Sequence, residues 1–479
     1  MLKTFDNTVN GQAVPAQRSF ESRNPATGEV LGLVPHSSAD QVAQAVAAAR
    51  AAQPAWAARP DAERQAYLMK VAETLHAQAD YLAEWITREQ GKPLGGVGPG
   101  QVPGSRFEAW GCEVWTQVPA SLELPPEVVF EDAGRRDVLH RRPFGVVAAI
   151  APWNWPLLIA IWQIIPSLRT GNTVVLKPSE YTSICSLEMA RLIASVLPPG
   201  VLNTVSGPGE VGSLLVENPG VDKIMFTGSG ATGARITAAA AKHLTPTTLE
   251  LGGNDAAIVL PDANPKAIAM DLFWGAFLNM GQTCACAKRL YVHEDLHDAL
   301  VAELKALATA MPMGNGLQPG IAMGPIQNRM QYDKVVSLVE QARAAGATIV
   351  CGGQALEGPG HFYPLTLVTD IADGAPLVDQ EQFGPVLPII RYRDLDQAIA
   401  SANRLDVGLG ASVWSQDLEQ AQAVALRLQA GTVWINQHGA IHPMVPFGGV
   451  KSSGWGVEFG MDGLKAMTQA QVVSLKKPS

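Results

Sequence analysis

Residues 223–233, KIMFTGSGATG, join a short apolar run to a glycine-rich turn, and a helix-forming segment begins at Ala234. The glycines fit the G-x-G-x-x-G pattern, in which main-chain amides at the start of a helix face the pyrophosphate of a dinucleotide. A second match, GPGEVG at residues 207–212, also follows an apolar run. Glycine turns before helices are common, so a plain turn is an equally good interpretation of residues 207–212. The better-placed stretch, residues 223–233, predicts a dinucleotide-binding α/β fold.

Short apolar runs alternate with helical stretches on both sides of this motif. A first series of predicted strands comprises residues 145–150, 173–176, 201–205 and 223–226. A second series runs from about residue 256 to residue 440 and includes strands at residues 347–350 and 431–436. This alternation is typical of parallel sheets with crossover helices.

The remaining segments carry cap and strand patterns. Ser38 and Gln41 form a capping box at the start of one predicted helix. A second, single helix is predicted after Pro60 and ends at Gly91; its apolar side consists of Leu68, Val71, Leu75, Leu82 and Ile86. Residues 120–140 are predicted to be a strand-rich insertion, and the tail at residues 470–476 alternates like an edge strand that needs a partner.

Composition excludes several classes of function. The chain has 479 residues, 47% of them hydrophobic, and a formal net charge of −9, which argues against a nucleic-acid partner. Residues 144–166 are long and apolar enough to suggest a membrane span, but Pro152, Asn154 and Pro156 interrupt them. A buried strand, a turn and a buried helix are therefore predicted in their place.

The five cysteines indicate the compartment. Their odd number and wide spacing do not suggest a disulfide framework, and no C-x-x-C or Cys/His cluster suggests zinc or another metal. The first residues, MLKTF, lack the apolar stretch of a signal peptide. We therefore expect a cytoplasmic protein.

One cysteine has a setting that suits catalysis. Most free cysteines are inert core residues. Cys284, in NMGQTCAC at residues 279–286, follows a polar, glycine-bearing turn that can expose its sulfur and aim an amide at a developing oxyanion. Cys286 is expected to be a neighbour rather than a nucleophile.

Two further residues are candidates for the same chemistry. Glu250 stands between apolar residues before a double glycine, where burial would raise its pKa and make it a general base. Taken alone, it could equally be a solvated glutamate at a strand end. Asn154 interrupts the apolar stretch and must satisfy its amide, either within the structure or by donating to a substrate oxygen.

Seven motifs, in this order, resemble those of the aldehyde dehydrogenase superfamily. They are PWNWP at 152–156, KPSE at 177–180, FTGS at 226–229, ELGG at 250–253, GQTC at 281–284, EQFGP at 381–385 and PFGGVK at 446–451. Cys284 follows Glu250 by 34 residues, as in typical members. The resemblance extends from NPATG at residues 24–28 to the tail, so it covers nearly the whole chain.

The resemblance implies an aldehyde dehydrogenase-like α/β fold with three parts. A Rossmann-type cofactor-binding domain is expected at residues 1–119 and 144–252, and an α/β catalytic domain at residues 253–445. A small β oligomerisation region is expected at residues 120–143 and 466–479. The family then implies a homodimer or homotetramer assembled through the C-terminal strand, with a small-molecule aldehyde as substrate and no membrane partner.

The resemblance also implies catalytic roles. Cys284, as a thiolate, attacks the aldehyde carbon, and Asn154 and the Cys284 amide hold the oxyanion. The thiohemiacetal passes a hydride to the nicotinamide, and Glu250 activates the water that hydrolyses the thioester. By the dinucleotide rule alone, Glu250 would instead be the ribose-binding acid about 20 residues past Gly228.

The implied cofactor is NAD+, with NADP+ left open. Lys177 and Glu180 resemble the residues that bind the adenine ribose, and Glu381, with Phe383 beside it, resembles the one that binds the nicotinamide ribose. The other residues of the implied cofactor site are Ile150, Pro152, Trp153, Ser179, Gly209, Phe226, Gly228, Ser229, Thr232 and Leu251.

Some positions depart from the common family pattern. Asn254 follows the double glycine in place of a lysine, and Val457 precedes Glu458 in place of an arginine; both changes are expected to affect packing. Gln163 and Gln469 stand where many members carry a lysine and a glutamate that assist proton release. With glutamines there, Glu250 should depend more on water for its proton path.

The sequence leaves the substrate class open. The loop at residues 437–445 resembles the family's substrate-entrance loop and contains no Lys or Arg, which predicts neutral apolar or aromatic aldehydes. The candidate substrate residues are Trp155, Ile159, Trp162, Thr283 and His442, of which the apolar stripe could equally be core. Arg106 could supply a cation from another direction, which would favour a semialdehyde dehydrogenase.

Two other functions stay open within the family. A CoA-acylating aldehyde dehydrogenase would not need Glu250 to activate water, so that residue argues against it. A non-catalytic family member would be expected to lose Cys284, Glu250 or Asn154, and all three are present.

Overall fold

The N-terminal segment builds two hairpins and a group of helices in the computed structural model, which describes residues 2–96 and 101–478. The hairpins are β1 (Asn7–Val9) with β2 (Gln12–Val14), and β3 (Arg18–Arg23) with β4 (Val30–His36). The helices are α1 (Ala39–Ala57), α2 (Asp61–Ala77), α3 (Ala79–Gln90) and α4 (Ser105–Ser121). The predicted capping box is confirmed, because Ser38 and Gln41 bond reciprocally at the start of α1.

The prediction of one continuous helix after Pro60 is wrong. The chain leaves helical geometry at Gln78, where φ is −112°, and restarts as α3, which ends at the left-handed Gly91. The apolar repeat does not reveal this break, since Leu75 of α2 and Leu82 of α3 are buried in the same core.

The next elements form the first sheet and its crossover helices. In chain order they are β5 (Glu127–Glu131), β6 (Arg135–Pro143), β7 (Val146–Ile150), α5 (Pro156–Arg169), β8 (Thr173–Lys177), α6 (Ser183–Ala194), β9 (Leu202–Thr204), α7 (Gly209–Val216), β10 (Lys223–Gly228), α8 (Gly230–Ala240) and β11 (Thr247–Leu251). Five strands run parallel in the order β11-β10-β7-β8-β9. The order reverses between β7 and β10, and such a switch point opens a crevice at the carboxyl ends of the strands.

The second series builds a seven-stranded sheet. Its elements are β12 (Asp255–Val259), α9 (Pro265–Phe277), β13 (Ala287–His293), α10 (Glu294–Ala310), α11 (Arg329–Ala344), β14 (Thr348–Cys351), β15 (Thr366–Thr369), α12 (Pro376–Asp379), β16 (Val386–Tyr392), α13 (Leu395–Asn403), β17 (Val407–Gly408), β18 (Gly410–Trp414), α14 (Leu418–Ala425) and β19 (Thr432–Ile435). The order is β14-β15-β16-β13-β12-β18-β19, with only β14 antiparallel to its neighbour. The predicted α/β class with parallel sheets is confirmed.

The C-terminal elements join the earlier sheets. They are β20 (Val450–Lys451), β21 (Gly454–Trp455), α15 (Gly460–Lys465) and β22 (Thr468–Lys476). Strand β21 pairs with β11, and β22 pairs with β6 along its whole length. The predicted edge strand therefore finds its partner in the predicted insertion, as a three-stranded sheet of order β22-β6-β5.

The apolar stretch at residues 144–166 folds as predicted into a strand, a turn and a buried helix. Strand β7 and helix α5 flank the turn, and every residue of α5 is buried. Within residues 2–96 and 101–478, the structure contains no helix with the length and hydropathy required to cross a bilayer.

Candidate active site

Cys284 lies in a tight turn between α9 and β13. Asn279 and Met280 have left-handed φ values of 53° and 61°, and Gly281 follows with a φ of 68°. A left-handed conformation costs a non-glycine residue about 1–2 kcal/mol, so the surrounding contacts must hold this turn. The turn leaves the Cys284 thiol half-buried, whereas Cys286 is fully buried.

The loop that carries Asn154 holds this turn. The Asn154 side-chain amide donates to the Gln282 carbonyl at 3.0 Å, and the Trp155 indole N–H donates to the Thr283 hydroxyl at 2.9 Å. The Asn279 amide donates in return to the Asn154 carbonyl at 2.9 Å. These bonds place an amide donor beside the residues that precede Cys284.

A buried ion pair supports the Asn154 loop from behind. Lys92 donates to the Glu108 carboxylate at 2.5 Å and to the Asn154 carbonyl at 3.0 Å. The other Glu108 oxygen accepts the first free amides of α5, from Leu157 and Leu158, at 2.9 and 3.2 Å. Glu108 therefore caps α5, and its charge suits the positive end of the helix.

Glu250 lies on β11, and neither carboxylate oxygen has a hydrogen-bond partner among the described residues. Burial raises the pKa of Glu250 well above its usual value, and the nearby Glu458 carboxylate raises it further. A β-carbon placed on Gly448 would lie 3.4 Å from Glu250, so the glycine keeps room beside the carboxylate. This is the environment predicted for a general base.

Glu458 was not predicted as part of this site. It is buried, and burial raises its pKa to about 8, while Lys223 opposes the shift. Burial lowers the pKa of Lys223 to about 8 as well.

The two glutamines that depart from the family pattern have hydrogen-bond partners of their own. Gln163 donates to the Thr227 hydroxyl at 3.1 Å, and Gln469 donates to the Pro143 carbonyl in the three-stranded sheet.

The predicted cofactor residues gather at the carboxyl edge of the first sheet. Strands β7, β8, β10 and β11 end at Ile150, Lys177, Gly228 and Leu251. Both glycine patterns lie where a helix begins, at α7 and α8, and β-carbons on Gly209 or Gly230 would meet nothing within 4 Å. Open space at a helix N-terminus is what a pyrophosphate needs.

Polar and aromatic side chains flank this edge. Lys177 and Glu180 form an ion pair at 3.5 Å beside Ser179. Ser229 caps α8 by accepting the Thr232 amide, and the Phe226 side chain is buried on β10.

The remaining predicted cofactor residues lie in the loops that follow β7 and α12. Glu381 accepts the Gly253 amide at 3.2 Å. The rings of Trp153 and Phe383 meet edge to face at 5.4 Å, and Pro152 precedes Trp153 in the same loop. The residues present therefore fit a dinucleotide cofactor.

A sequence profile for the aldehyde dehydrogenase family matches residues 13–473. The chain belongs to this family. A phenylacetaldehyde dehydrogenase from Pseudomonas fluorescens is 38% identical over 474 residues, 96% of this chain and 93% of the relative. The solved lactaldehyde dehydrogenase from Escherichia coli superposes with a TM-score of 0.94 at 34% identity, covering 98% of this chain and 99% of that one. An aldehyde dehydrogenase from Bacillus cereus, solved as an NAD+ complex, gives a TM-score of 0.95 at 33% identity, covering 99% and 97%.

Membership confirms the predicted family, its fold and the class of reaction. The protein is an oxidoreductase that acts on the aldehyde group.

The predicted substrate residues of this aldehyde dehydrogenase fall into two groups. Trp155, Ile159 and Trp162 are buried in the apolar cluster against which Cys284 packs, and Thr283 bonds to Trp155. His442 is exposed, and its Nδ1 accepts the Met444 amide at 3.2 Å. The structure thus places Trp155, Ile159 and Trp162 in the cluster against which Cys284 packs, joins Thr283 to Trp155, and leaves His442 at the surface.

Other members of this cluster could not be selected from the sequence. Ile441 and Phe447 pack in it, and Phe459 contacts Trp115 and Trp162 at ring separations of 4.5 and 4.7 Å. Phe459 has a φ of 67°, which is rare for a bulky residue and holds its ring in the cluster. The seven-residue spacing of Trp155 and Trp162 was the available signal; the others come from distant loops.

Proposed function

We propose that the enzyme oxidises neutral apolar or aromatic aldehydes to carboxylic acids with NAD+, using Cys284 as nucleophile. The observation that carries this proposal is the pair of hydrogen bonds from Asn154 and Trp155 to Gln282 and Thr283. These bonds hold the Asn154 amide and the Trp155 ring against the turn that carries the half-buried Cys284 thiol.

The first half of the reaction forms a covalent adduct. Burial raises the pKa of the Cys284 thiol to about 12, so the resting group is protonated and must lose its proton to solvent. The thiolate sulfur bonds to the aldehyde carbon, and the carbonyl oxygen becomes an oxyanion. The second N–H of the Asn154 amide and the Cys284 main-chain N–H stabilise that charge, and such a donor contributes about 3–4 kcal/mol.

The second half releases the acid. When bound, the nicotinamide supplies the oxidation by accepting a hydride from the former aldehyde carbon. Glu250 then takes a proton from a water molecule, whose oxygen attacks the thioester carbon. The carbon–sulfur bond breaks, Cys284 leaves as a thiolate, and the released carboxylic acid loses its proton to solvent and becomes the carboxylate. The raised pKa of Glu250 suits this base role near neutral pH.

NAD+ is the proposed cofactor, and use of NADP+ is kept as an alternative. Lys177 and Glu180 would bind the adenine ribose, Glu381 would bind the nicotinamide ribose, and the amides at the start of α8 would face the pyrophosphate. The Bacillus cereus relative, which binds NAD+, supports the assignment.

A neutral substrate agrees with the charges around the site. Arg106, the cation that could have paired with a second carboxylate, instead binds Asp80 at 3.0 Å and the Gly95 carbonyl at 3.3 Å. His438 of the entrance loop is turned inward, with a buried side chain that bonds to Ser412 at 2.9 Å. The similarity to a phenylacetaldehyde dehydrogenase also favours an aromatic substrate over a semialdehyde.

Assembly through the three-stranded sheet is proposed as well. This sheet exposes apolar side chains, including Val128, Phe130, Val472 and Leu475, each about half exposed. Exposed apolar strands need a partner, so the β22 edge would join a second copy in a homodimer or homotetramer. The three-part domain division remains part of this proposal, and the five free thiols favour a cytoplasmic setting.

The test compares two cysteine variants. Cys284→Ala should abolish NADH formation from benzaldehyde and NAD+, whereas Cys286→Ala should retain most of it. Assays with and without CoA in the wild type separate hydrolysis from acyl transfer to CoA. Equal loss in both cysteine variants would overturn the assignment of the nucleophile, and inactivity of the folded wild type toward every aldehyde would favour a non-catalytic protein.

A further inference from the structure

Lys288 is a buried cation behind the nucleophile turn. It is the second residue of β13, and its side chain is only 3% exposed. Its ammonium group donates to the Cys284 main-chain carbonyl and forms an ion pair with Glu381 at 3.1 Å. The same Glu381 oxygen accepts the Gly253 amide at 3.2 Å. A buried lysine is costly unless it is paired, so these contacts account for its place.

We propose that Lys288 is a positioning residue that ties the main chain of Cys284 to the carboxylate of Glu381 and places a fixed positive charge beside the thiol. The inference rests on the roles proposed for Cys284 and Glu381. Lys288 would then influence both the reactivity of the Cys284 thiol and the position of Glu381, the carboxylate proposed to bind the nicotinamide ribose.

The charges around Lys288 agree with this role. Burial lowers the pKa of Lys288, but Glu381, Asp255, Cys286 and Cys284 together raise it above its usual value, so the group stays protonated. Lys334, on α11, also faces Glu381, and burial lowers its pKa.

The thiol itself sits among opposing charges. Burial raises the pKa of Cys284, and Asp255, Glu250 and Glu381 raise it further. Lys288 acts in the opposite direction and lowers it. Removing the Lys288 charge should therefore make the thiolate harder to form, and it should also free the Glu381 carboxylate.

Thiol alkylation tests the electrostatic part without turnover. The rate of iodoacetamide reaction at Cys284 is followed by mass spectrometry of its peptide in the apoenzyme across pH 6–10. In Lys288→Met the rate at a fixed pH should fall about tenfold, equal to an upward shift of about one unit in the thiol pKa. Lys288→Arg should restore most of the rate, because it keeps the charge.

A second variant separates the charge from the hydrogen bond. Lys288→Gln retains an N–H donor for the Cys284 carbonyl, so the hydrogen bond that holds the turn is kept. Because it lacks the positive charge, it should slow alkylation of Cys284 as much as Lys288→Met does. Both neutral variants should also raise the dissociation constant for NAD+ several-fold. Lys305→Met, at an exposed lysine in α10, is the control and should change neither the alkylation rate of Cys284 nor the dissociation constant for NAD+.

The outcomes distinguish this inference from the proposed function. If folded Lys288→Met and Lys288→Gln alkylate at the wild-type rate across the pH range, the inference is overturned even though Cys284→Ala is inactive. If Cys284→Ala is active, the proposed nucleophile is wrong whatever Lys288 does.

Discussion

Asn154 donates its side-chain amide to the Gln282 carbonyl at 3.0 Å, two residues before Cys284. The bond fixes the distance between the oxyanion donor and the turn that carries the nucleophile. Because one N–H of the amide is spent on this bond, the other is held in a defined direction. Preorganised donors of this kind lower the barrier without reorganising during the reaction.

Asn154→Ala should reduce kcat by about 100- to 1000-fold, since it removes an oxyanion donor. Thr283→Val is the matched control, because it breaks the Trp155–Thr283 bond and leaves Asn154 intact. The Thr283→Val variant should lose less than about tenfold in kcat, as expected from the small net contribution of one hydrogen bond. Steady-state kinetics of both variants give the comparison, and similar losses would mean that Asn154 acts only by anchoring the turn.

Glu250→Gln should stall the enzyme after oxidation. The amide cannot take a proton from water, so the thioester should accumulate. Rapid mixing with NAD+ and aldehyde should show a burst of NADH close to one per active site, followed by slow turnover. The exposed Glu217→Gln is the control. Loss of the burst itself would show that Glu250 is needed to activate Cys284.

Glu458→Gln should move the pH dependence of kcat to lower pH. Glu250 must be ionised to act as a base, and its pKa is raised by burial and then by the Glu458 carboxylate. A neutral glutamine removes the second effect, which acts where Glu458 is ionised, near and above pH 8, so the pKa of Glu250 should fall there. The shift would appear in profiles of kcat from pH 5 to 9, measured with a substrate whose turnover is limited by hydrolysis of the thioester. A shift of the profile to higher pH would contradict the effect assigned to Glu458.

The contrast between Glu250 and Glu458 shows what the sequence could predict. Glu250 lies in a recognisable motif with a local reason for burial, so its setting follows from neighbours in the chain. Glu458 comes from a C-terminal loop, and its effect on Glu250 depends on the packing of β21 against β11. Lys92 with Glu108 is a similar case, because an ion pair between a loop and a helix leaves no periodic pattern.

The fold was predictable for the same local reasons. The strands and crossover helices have strong apolar patterns, and β7, β10 and β22 appear close to their predicted bounds. The break between α2 and α3 was not predictable, because both helices bury the same side of the repeat. His438 also could not be placed in advance, since only the folded loop turns its ring onto Ser412.

Glu180 should make the enzyme prefer NAD+ over NADP+. A carboxylate can accept hydrogen bonds from a ribose 2′-hydroxyl and repels a 2′-phosphate, although Lys177, 3.5 Å away, partly offsets the repulsion. We expect a higher kcat/KM with NAD+ in the wild type. Glu180→Gln should raise kcat/KM for NADP+ about tenfold, whereas Glu217→Gln should not. A wild type that favours NADP+ would refute the assignment.

The site should prefer neutral aldehydes to aldehydes that carry a second carboxylate. The apolar cluster beside Cys284 includes Trp155 and Trp162, and Arg106 is engaged by Asp80. A second carboxylate on the substrate would therefore enter the site without a partner, which is costly for a buried charge. We expect kcat/KM for benzaldehyde and hexanal to exceed that for succinate semialdehyde by at least about tenfold.

Two variants make this comparison specific. Trp162→Ala should lower kcat/KM for benzaldehyde more than for acetaldehyde, because the smaller aldehyde gains less from an aromatic wall. Asp80→Asn removes the partner of Arg106. It should raise kcat/KM for succinate semialdehyde if the freed guanidinium reaches the site, and it should leave kcat/KM for benzaldehyde unchanged. A wild-type enzyme that prefers succinate semialdehyde would show that a cation does face the substrate, and the neutral-aldehyde assignment would then be wrong.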